Sequence, residues 1–156
     1  MERTLLILKP DAVGRRLAGR ILTRIEAKGL KIVALKMMRI DDALAAKQYQ
    51  VHKGKEFYPA LVEFMTSGPV VAMVVEGVGA IAVARNLMGP TFGPDAPGGT
   101  IRGDFGLSHR HNLIHGSDSA ESAGQEIPLF FRPEEIMDYA LPDETWVYAM
   151  KDGQRI

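Results

Sequence analysis

Two short apolar segments constrain the fold more than any other feature of this 156-residue chain. Residues 4–9 contain the run Leu-Leu-Ile-Leu, and residues 70–76 read Val-Val-Ala-Met-Val-Val-Glu. Apolar runs of this length, bounded by Pro10 and by Ser67-Gly68-Pro69, are typical of β-strands, because proline cannot continue the hydrogen-bonding ladder. Both runs are far too short to span a bilayer. We therefore expect a sheet at the centre of a globular domain.

Further strand and helix patterns surround these two segments. Residues 31–40 predict a second strand, and a short strand is predicted around His115. The predicted helices cover residues 14–28, residues from Asp41 or Asp42 to about Val51, and residues 57–66, 79–88 and 119–126. The underlying βαββαβ order matches the ferredoxin-like α+β sandwich, in which a four-stranded antiparallel sheet is covered by helices. We expect one domain over residues 1–148 and a tail at 149–156, with residues 151–156 frayed.

Two glycine-containing segments bear on phosphate binding. Residues 14–20 resemble a phosphate-binding loop, but the second glycine is followed by Arg20 and Ile21 instead of Lys and Ser or Thr. We therefore expect phosphate to be bound without such a loop, and residues 14–28 to form an amphipathic helix. Residues 89–110 form a long connection rich in Gly and Pro, which in a compact domain is usually functional.

Residues 112–118, with the sequence Asn-Leu-Ile-His-Gly-Ser-Asp, place one imidazole in a short strand before a turn. Alternation along the strand directs His115 and Ser117 to the same face. Asp118 is the expected N-cap of a helix, with Glu121 completing a capping box, so anion-attracting amides should face the imidazole. A neutral imidazole in this setting could attack phosphorus and carry a phosphoryl group covalently.

The residues alone leave two other interpretations of His115 open. A lone histidine in a short strand is often a polar residue whose hydrogen bonds are satisfied by its surroundings. His109 and His111 lie close in sequence and suggest a metal site instead. Arg110 between them disfavours a bound cation, and the chain has no cysteine to complete such a site.

The segment Asn-Leu-Ile-His-Gly-Ser-Asp-Ser resembles the active-site signature of nucleoside diphosphate kinases. Matches to this family continue in order from residues 3–5 to 146–148. They include Lys-Pro-Asp at 9–11, Ser-Gly-Pro-Val-Val-Ala-Met at 67–73, Thr-Ile-Arg-Gly-Asp-Phe at 100–105 and Glu-Ser-Ala at 121–123. The resemblance implies a ping-pong reaction, in which ATP or another nucleoside triphosphate phosphorylates His115 and a nucleoside diphosphate collects the phosphoryl group.

Phosphoryl transfer through a histidine requires one ring nitrogen that is free to attack. The N–H of the other ring nitrogen requires a hydrogen-bond acceptor, because the acceptor fixes the tautomer and stabilises the positive charge that develops on the ring. Glu126 is the candidate acceptor, and the matching glutamate has that role in the family. Ser117 can hydrogen-bond the carboxylate or the phosphate. The resemblance adds Tyr49 beside the histidine and Lys9 as a contact of the nucleotide sugar.

The resemblance also implies a set of nucleotide contacts. Arginine suits phosphate because its guanidinium is planar, always charged and bidentate. The implied contacts are Arg85, Thr91, Arg102, His52 and Lys55 with the phosphates, Asn112 and Lys9 with the sugar, and Phe57 and Leu61 with the base. We expect no dedicated metal site, because Mg²⁺ prefers to keep its waters and should arrive with the nucleotide phosphates.

Several positions of the long loop depart from the family's pattern. Phe92-Gly93-Pro94 replaces the usual Asn or Asp, Pro and Ala, and Gly98 replaces a proline. His109 replaces an apolar residue near the base, and His111 replaces a common arginine. In the family this loop builds subunit contacts, so the changes bear on whether the expected homo-oligomer is a tetramer or a hexamer.

Charge and cysteine content limit the partners and the compartment. Lys and Arg total 19, as do Asp and Glu, so the neutral chain is not expected to bind nucleic acid generally. The absence of cysteine excludes a disulfide framework and thiolate chemistry. With no signal-peptide pattern, we expect a cytoplasmic protein that does not enter membranes. A catalytically silent nucleotide-binding or scaffold protein on the same fold remains the rival interpretation.

Overall fold

The computed structural model describes all residues from Met1 to Ile156 and is built on a four-stranded antiparallel sheet. Its strands are β1 (Glu2–Leu8), β2 (Lys31–Arg39), β3 (Pro69–Gly77) and β4 (Ile114–Gly116), in the order β2-β3-β1-β4. The sheet and its helices confirm the predicted α+β sandwich. The two apolar runs form the two central strands, as their composition indicated.

Eight helices are distributed along the chain. They are α1 (Pro10–Gly14), α2 (Ala18–Ala27), α3 (Asp42–Gln48), α4 (Tyr58–Thr66), α5 (Ala80–Met88), α6 (Ile101–Phe105), α7 (Ala120–Phe130) and α8 (Glu144–Val147). Short 3₁₀ turns lie at Gln50–His52, Gly93–Asp95 and Pro133–Glu135. None of the helices is both long and apolar enough to cross a membrane.

The central strand β1 is buried on both faces. Leu6 and Leu8 pack with α2 and α5 on one face, whereas Leu5 and Ile7 pack with residues of α3, α4 and α7 on the other. A strand covered on both faces needs apolar side chains at consecutive positions, which explains the unbroken run in the sequence. The two helical layers therefore fix β1, and β1 in turn fixes the strand paired with it.

Strand β4 is held against β1 by its ladder and by a constrained residue before it. In the register, Ile7 lies opposite His115 and Leu6 opposite Gly116. Leu113 adopts a left-handed conformation with φ of 70°, which costs a non-glycine residue about 1–3 kcal/mol. Its N–H donates to Asp11 Oδ2 over 3.1 Å, and its carbonyl accepts from Lys9 N–H over 2.8 Å. These bonds offset the strain and fix the direction in which the chain enters β4.

The amphipathic helix expected over residues 14–28 is confirmed as α2, but it begins at Ala18. The unpredicted helix α1 precedes it, and Arg16, with a positive φ of 59°, lies between the two. Pro10 begins α1 because the first turn of a helix needs no backbone N–H at that position. A helix of five residues is too short to show helical periodicity, so the sequence pattern did not reveal it.

The helix after His115 begins and ends later than expected. Ser119, not Asp118, is the N-cap, and its Oγ accepts from Ser122 N–H over 3.1 Å. Asp118 instead accepts from the Ser122 hydroxyl over 2.6 Å, so the expected capping box with Glu121 is also wrong. Helix α7 runs to Phe130 with Pro128 inside it, so the carbonyl of Gly124 receives no backbone hydrogen bond from position 128.

Three other segments differ from the predicted pattern. Helix α3 ends at Gln48 rather than near Val51, and a 3₁₀ turn follows it. The long loop contains α6, whose Thr100 side chain caps it by accepting from Gly103 N–H. The expected frayed end is instead a hairpin of β5 (Met150–Lys151) and β6 (Gln154–Arg155). Arg155 pairs with Glu144 of α8 and ties this hairpin back to the chain.

Replacement of Gly103 by alanine should destabilise the fold, because an added Cβ would lie 2.0 Å from the Pro97 carbonyl oxygen. Backbone atoms cannot move aside as a side chain can, so we expect a loss of about 1–3 kcal/mol in the free energy of unfolding. Gly124→Ala is the matched control, because nothing lies within 4 Å of its added Cβ in α7. That variant should gain about 0.5–1 kcal/mol. Urea unfolding measures both, and equal stability of the two variants would contradict the packing described around α6.

Candidate active site

His115 of β4 has its two ring nitrogens in different surroundings. Nε2 lies 3.1 Å from Glu126 Oε2, whereas Nδ1 takes part in none of the hydrogen bonds of the folded chain. An ionised carboxylate only accepts hydrogen bonds, so the ring hydrogen belongs on Nε2. The lone pair of the neutral ring is then on Nδ1. The arrangement leaves a nucleophilic nitrogen free on the side away from the carboxylate.

Glu126 lies on α7 and is fixed by more than one donor. Its Oε2 accepts from the Ser117 hydroxyl over 2.6 Å as well as from His115. Burial alone would raise the pKa of the Glu126 carboxyl, but hydrogen bonds from His115, Ser117 and Gln48 outweigh that effect and lower it. Glu126 is therefore ionised at neutral pH. The structure brings His115, Ser117 and Glu126 together, and the predicted shared face of the first two is confirmed.

Tyr49 follows the last residue of α3 and packs edge-on against His115, with ring centroids 6.2 Å apart. Its side chain is 4% exposed, and its hydroxyl has no hydrogen-bond partner. Burial, with the charge of Glu126 as a second cause, raises the pKa of Tyr49, so the hydroxyl stays protonated. Tyr49 thus presents an unused donor beside the reactive ring.

Sequence reasoning missed Gln48, which contacts His115 directly. Its Nε2 lies 3.2 Å from His115 Nε2, and the residue is 6% exposed. One signal could have revealed it: Gln48 follows the buried Ala45 by three positions and so lies on the inward face of α3. A polar residue on such a face needs a buried partner.

Lys9 and Asn112 form a second group beside the histidine strand. Lys9 Nζ donates to Asn112 Oδ1 over 2.7 Å, and Asn112 Nδ2 donates to the Thr91 carbonyl over 3.0 Å. Burial and the nearby charge of Arg102 lower the pKa of Lys9 to about 8, with a smaller opposing effect from Asp11. The ammonium is therefore charged at neutral pH but poorly compensated. Such a group favours an anionic ligand.

Arg102 of α6 is buried and donates to three backbone carbonyls. Its Nε donates to Asn112 O, its Nη1 to Gly89 O and its Nη2 to Ile114 O, over 3.1, 2.8 and 2.7 Å. Burial and the neighbouring charge of Arg85 lower the pKa of Arg102 to about 10. Arg102 therefore holds β4 in place, a role that the sequence did not indicate, and adds positive charge near Lys9. Arg85 projects from α5 with an exposed side chain.

The turn between α3 and α4 forms an aromatic group. His52 lies between the rings of Tyr49 and Phe57, at centroid distances of 6.4 and 5.3 Å. Lys55 Nζ approaches His52 Nδ1 to 3.3 Å and lies 5.7 Å from the Phe57 ring centroid. The Phe57 ring is half exposed, and Leu61 of α4 packs against the core beneath. The group offers a flat apolar surface next to positive charge.

The three closely spaced histidines do not form a metal site. His109 stacks near Phe92 and His111 near Phe64, with ring centroids 4.8 and 5.0 Å apart. Nowhere in the chain do three or more His, Asp or Glu side chains gather as possible metal ligands. The metal interpretation of His115 is therefore not supported by the structure.

Taken together, these groups can bind a polyanion and present a nitrogen nucleophile to it. Lys9, Arg85 and Arg102 supply positive charge, and none of the three forms a salt bridge with a carboxylate. The one carboxylate in contact with His115, that of Glu126, contacts Nε2 and not the free Nδ1. In-line attack on phosphorus needs this combination of positive charge and a positioned nucleophile.

Comparison with known proteins identifies the family. The family model described as nucleoside diphosphate kinase matches residues 2–136. A nucleoside diphosphate kinase from Staphylococcus epidermidis is 55% identical over 148 residues, covering 95% of this chain and 99% of the relative. One from Listeria monocytogenes is 55% identical over 147 residues, covering 94% of this chain and all of the relative.

Solved structures agree with this result. The halophilic nucleoside diphosphate kinase of Halobacterium salinarum, solved in complex with CDP, superposes with a TM-score of 0.93 at 51% identity. That match covers 95% of this chain and 99% of the other. A nucleoside diphosphate kinase family protein from Babesia bovis gives a TM-score of 0.92 at 43% identity, covering 95% of this chain. The chain belongs to the nucleoside diphosphate kinase family, and the transfer of a γ-phosphoryl group from a nucleoside triphosphate to a nucleoside diphosphate is its activity.

Proposed function

We propose that Nδ1 of His115 is the nucleophile of this kinase. The Nδ1 lone pair attacks the γ-phosphorus of a nucleoside triphosphate, the bond from that phosphorus to the bridging oxygen breaks, and a nucleoside diphosphate leaves. A terminal oxygen of a second nucleoside diphosphate then attacks the phosphorus, the P–N bond breaks, and the neutral ring is restored. The observation that supports this proposal most is that the two ring nitrogens differ: Nε2 is hydrogen-bonded to Glu126, whereas Nδ1 has no hydrogen-bond partner.

Glu126 and Ser117 support the ring in this proposal. Attack through Nδ1 leaves positive charge on the imidazole, and an ionised carboxylate 3.1 Å from Nε2 stabilises that charge. Ser117 holds the same carboxylate oxygen and so fixes its direction. Tyr49, with its protonated and unpaired hydroxyl, supplies a donor to the transferred phosphoryl group.

The phosphates are bound by the cations described above. In this assignment Arg85, Arg102 and the Thr91 hydroxyl contact the phosphates, and His52 and Lys55 add further contacts from the turn before α4. Lys9 and Asn112 contact the sugar. A bound polyanion relieves the repulsion between Lys9 and Arg102, which is the physical reason to expect affinity at this place.

The base is assigned to the half-exposed ring of Phe57, with Leu61 beside it. Stacking on an aromatic face is open to every base and is worth about 1–3 kcal/mol. A divalent cation accompanies the nucleotide in this family, and we infer that it is Mg²⁺, bound as part of the substrate. The cation-rich site has no cluster of carboxylates to hold a metal of its own.

We propose that the catalytic domain spans residues 1–148, with residues 149–156 as an appended hairpin, and that the enzyme acts in the cytoplasm, where its nucleotide substrates are used. We also propose a homo-oligomer, a tetramer or a hexamer. Its support is the outer strand β2, which has one unpaired edge and carries Leu35 and Met37 with exposures of 49% and 65%.

Incubation with ATP and Mg²⁺ without an acceptor should leave one phosphoryl group on His115. Intact-mass measurement and peptide mapping at alkaline pH detect the adduct, because phosphohistidine survives alkali and is lost in acid. The His115→Gln variant should take up no label, whereas His111→Gln, a control at a histidine that packs on Phe64, should label normally. Label on Ser117, or label that persists in His115→Gln, would refute the assignment. A wild-type protein without label would favour the silent scaffold.

Glu126→Gln should slow phosphoryl transfer by about 10- to 10³-fold with little change in nucleotide affinity. The amide keeps the shape of the side chain but removes the negative charge that stabilises the imidazolium. Rapid-quench measurement of the labelling of His115 gives the transfer rate, and calorimetry gives the affinity for ADP. Glu121→Gln, an exposed position at the start of the same helix, serves as the control. If affinity collapses while the transfer rate is unchanged, Glu126 does not orient the ring.

Affinity for ADP should weaken as pH rises through about 8, because Lys9 loses its charge with a pKa of about 8. Below that value the ammonium is present and attracts the nucleotide, so the change from pH 7 to 9 should be about tenfold. The lowered pKa of His52 and the raised pKa of Tyr49 lie outside this window, as does that of Arg102 at about 10. Calorimetry with Lys9→Met should give an affinity that is nearly flat from pH 7 to 9. An equal slope in both proteins would show that another group titrates.

A further inference from the structure

A tight turn precedes the strand that carries His115. Ile114 N–H donates to the Asn112 carbonyl over 2.8 Å, and Leu113 between them has a positive φ of 70°. These two features define a γ-turn of the rare, strained form. Glycine would relieve the strain, but the Leu113 side chain is fully buried in the core, and its removal would leave a cavity. The turn therefore has to be held in its conformation by neighbouring groups.

Two groups from the start of α1 hold Leu113. Lys9 N–H donates to the Leu113 carbonyl over 2.8 Å, and Leu113 N–H donates to Asp11 Oδ2 over 3.1 Å. The other carboxylate oxygen, Asp11 Oδ1, is buried and has no hydrogen-bond partner. Burial of a carboxylate oxygen without a partner is unfavourable for folding. The stability of the fold therefore does not explain this carboxylate, whereas the conformation of Leu113 does.

The other side chains that hold this turn belong to the nucleotide site. Arg102 donates to the carbonyls of Asn112 and Ile114, and Lys9 Nζ donates to Asn112 Oδ1. Lys9, Asn112 and Arg102 are all proposed contacts of the nucleotide. Asp11 is the one side chain that holds the turn without being such a contact. Its substitution therefore changes the turn without removing a group that binds substrate.

We propose that Asp11 is a positioning residue for phosphoryl transfer, because its carboxylate oxygen holds the turn at Leu113 and this turn sets the direction of His115. The inference rests on the proposed role of His115. Without the bond to Asp11, Leu113 can relax towards negative φ, and the peptide groups on both sides of it then rotate. His115 follows two residues later, so its ring would leave the line of attack. A displacement of about 1 Å between reacting groups lowers a rate by about 10²-fold.

Three substitutions of Asp11 separate the position of the acceptor from its charge. Asp11→Asn keeps an oxygen in place and removes the charge, Asp11→Glu keeps the charge and moves the oxygens by one methylene group, and Asp11→Ala removes both. Rapid-quench measurement at saturating ATP gives the rate at which His115 is phosphorylated. This rate should fall about 10- to 100-fold in Asp11→Ala and about 5- to 20-fold in Asp11→Glu. In Asp11→Asn it should stay within about threefold of the wild-type rate, because an amide oxygen is a somewhat weaker acceptor.

Two further measurements distinguish positioning from general damage to the fold. Affinity for ADP at pH 6.5, below the pKa of Lys9 at about 8, should stay within about threefold in all three variants. The reason is that Asn112 keeps its bonds to Lys9 and to the Thr91 carbonyl. Hydrogen exchange of the Leu113 amide should be faster in Asp11→Ala than in Asp11→Asn.

Asp42→Ala is the matched control, because Asp42 is also an acidic residue in the first turn of a helix and is exposed. It should keep the wild-type rate, which separates the contact with Leu113 from a general effect of charge at a helix N-terminus. If Asp11→Ala does not fold, the Asn and Glu variants decide the question between them.

The inference is overturned if Asp11→Ala is folded and phosphorylates His115 at the wild-type rate. It is also overturned if Asp11→Asn is as slow as Asp11→Ala, or if Asp11→Glu keeps the wild-type rate, because the position of the acceptor then does not determine the rate. These outcomes are separate from failure of the proposed function. Absence of label on His115 in the wild-type protein refutes the nucleophile, whereas normal rates in all Asp11 variants refute only the positioning role.

Discussion

The hydrogen bond between His115 Nε2 and the Glu126 carboxylate determines what the rest of the structure has to provide. It joins β4 and α7, two consecutive elements that are connected by residues 117–119. Strand β4 has three residues and could not hold a ring in place alone, but it is paired with the doubly buried β1. Arg102 donates to the carbonyls of Asn112 and Ile114, just before and in this strand, and a third hydrogen bond goes to Gly89 at the end of α5. The core of the protein therefore fixes the positions of His115 and Glu126, and with them the geometry of this hydrogen bond.

The distribution of charge follows from the same arrangement. The negative group contacts the far nitrogen of the ring, and the positive groups Lys9, Arg85 and Arg102 lie apart from it. Buried cations near one another are unfavourable in the free protein, as the lowered pKa values of Lys9 and Arg102 show. An anionic ligand removes that penalty. The site is therefore electrostatically complementary to the nucleotide's phosphates before any nucleotide binds, which is the basis of electrostatic preorganisation.

The sequence predicted the elements that depend on local patterns of residues, and it missed those that depend on contacts between distant segments. The apolar runs predicted β1 and β3 because burial on both faces requires unbroken apolar segments. The alternation around His115 correctly placed Ser117 on the same side. The short helices α1 and α6 have five residues each and leave no periodic pattern, so they were missed. The C-terminal hairpin was missed because its ion pair with α8 joins two short and weakly patterned segments.

The site shows the same limit at the level of single residues. Histidine chemistry and family resemblance indicated His115 and Glu126, whereas the contact between Gln48 and His115 depends on the tertiary packing of α3. The second role of Arg102, as a support for the strand, also depends on tertiary contacts. In the proposed mechanism the phosphoryl group passes through a covalent intermediate on the enzyme. The configuration at phosphorus, measured after transfer from nucleoside triphosphate with a chiral, isotopically labelled γ-phosphate, tests this most directly. Two successive in-line displacements predict overall retention, whereas inversion would mean direct transfer between nucleotides and would contradict the account.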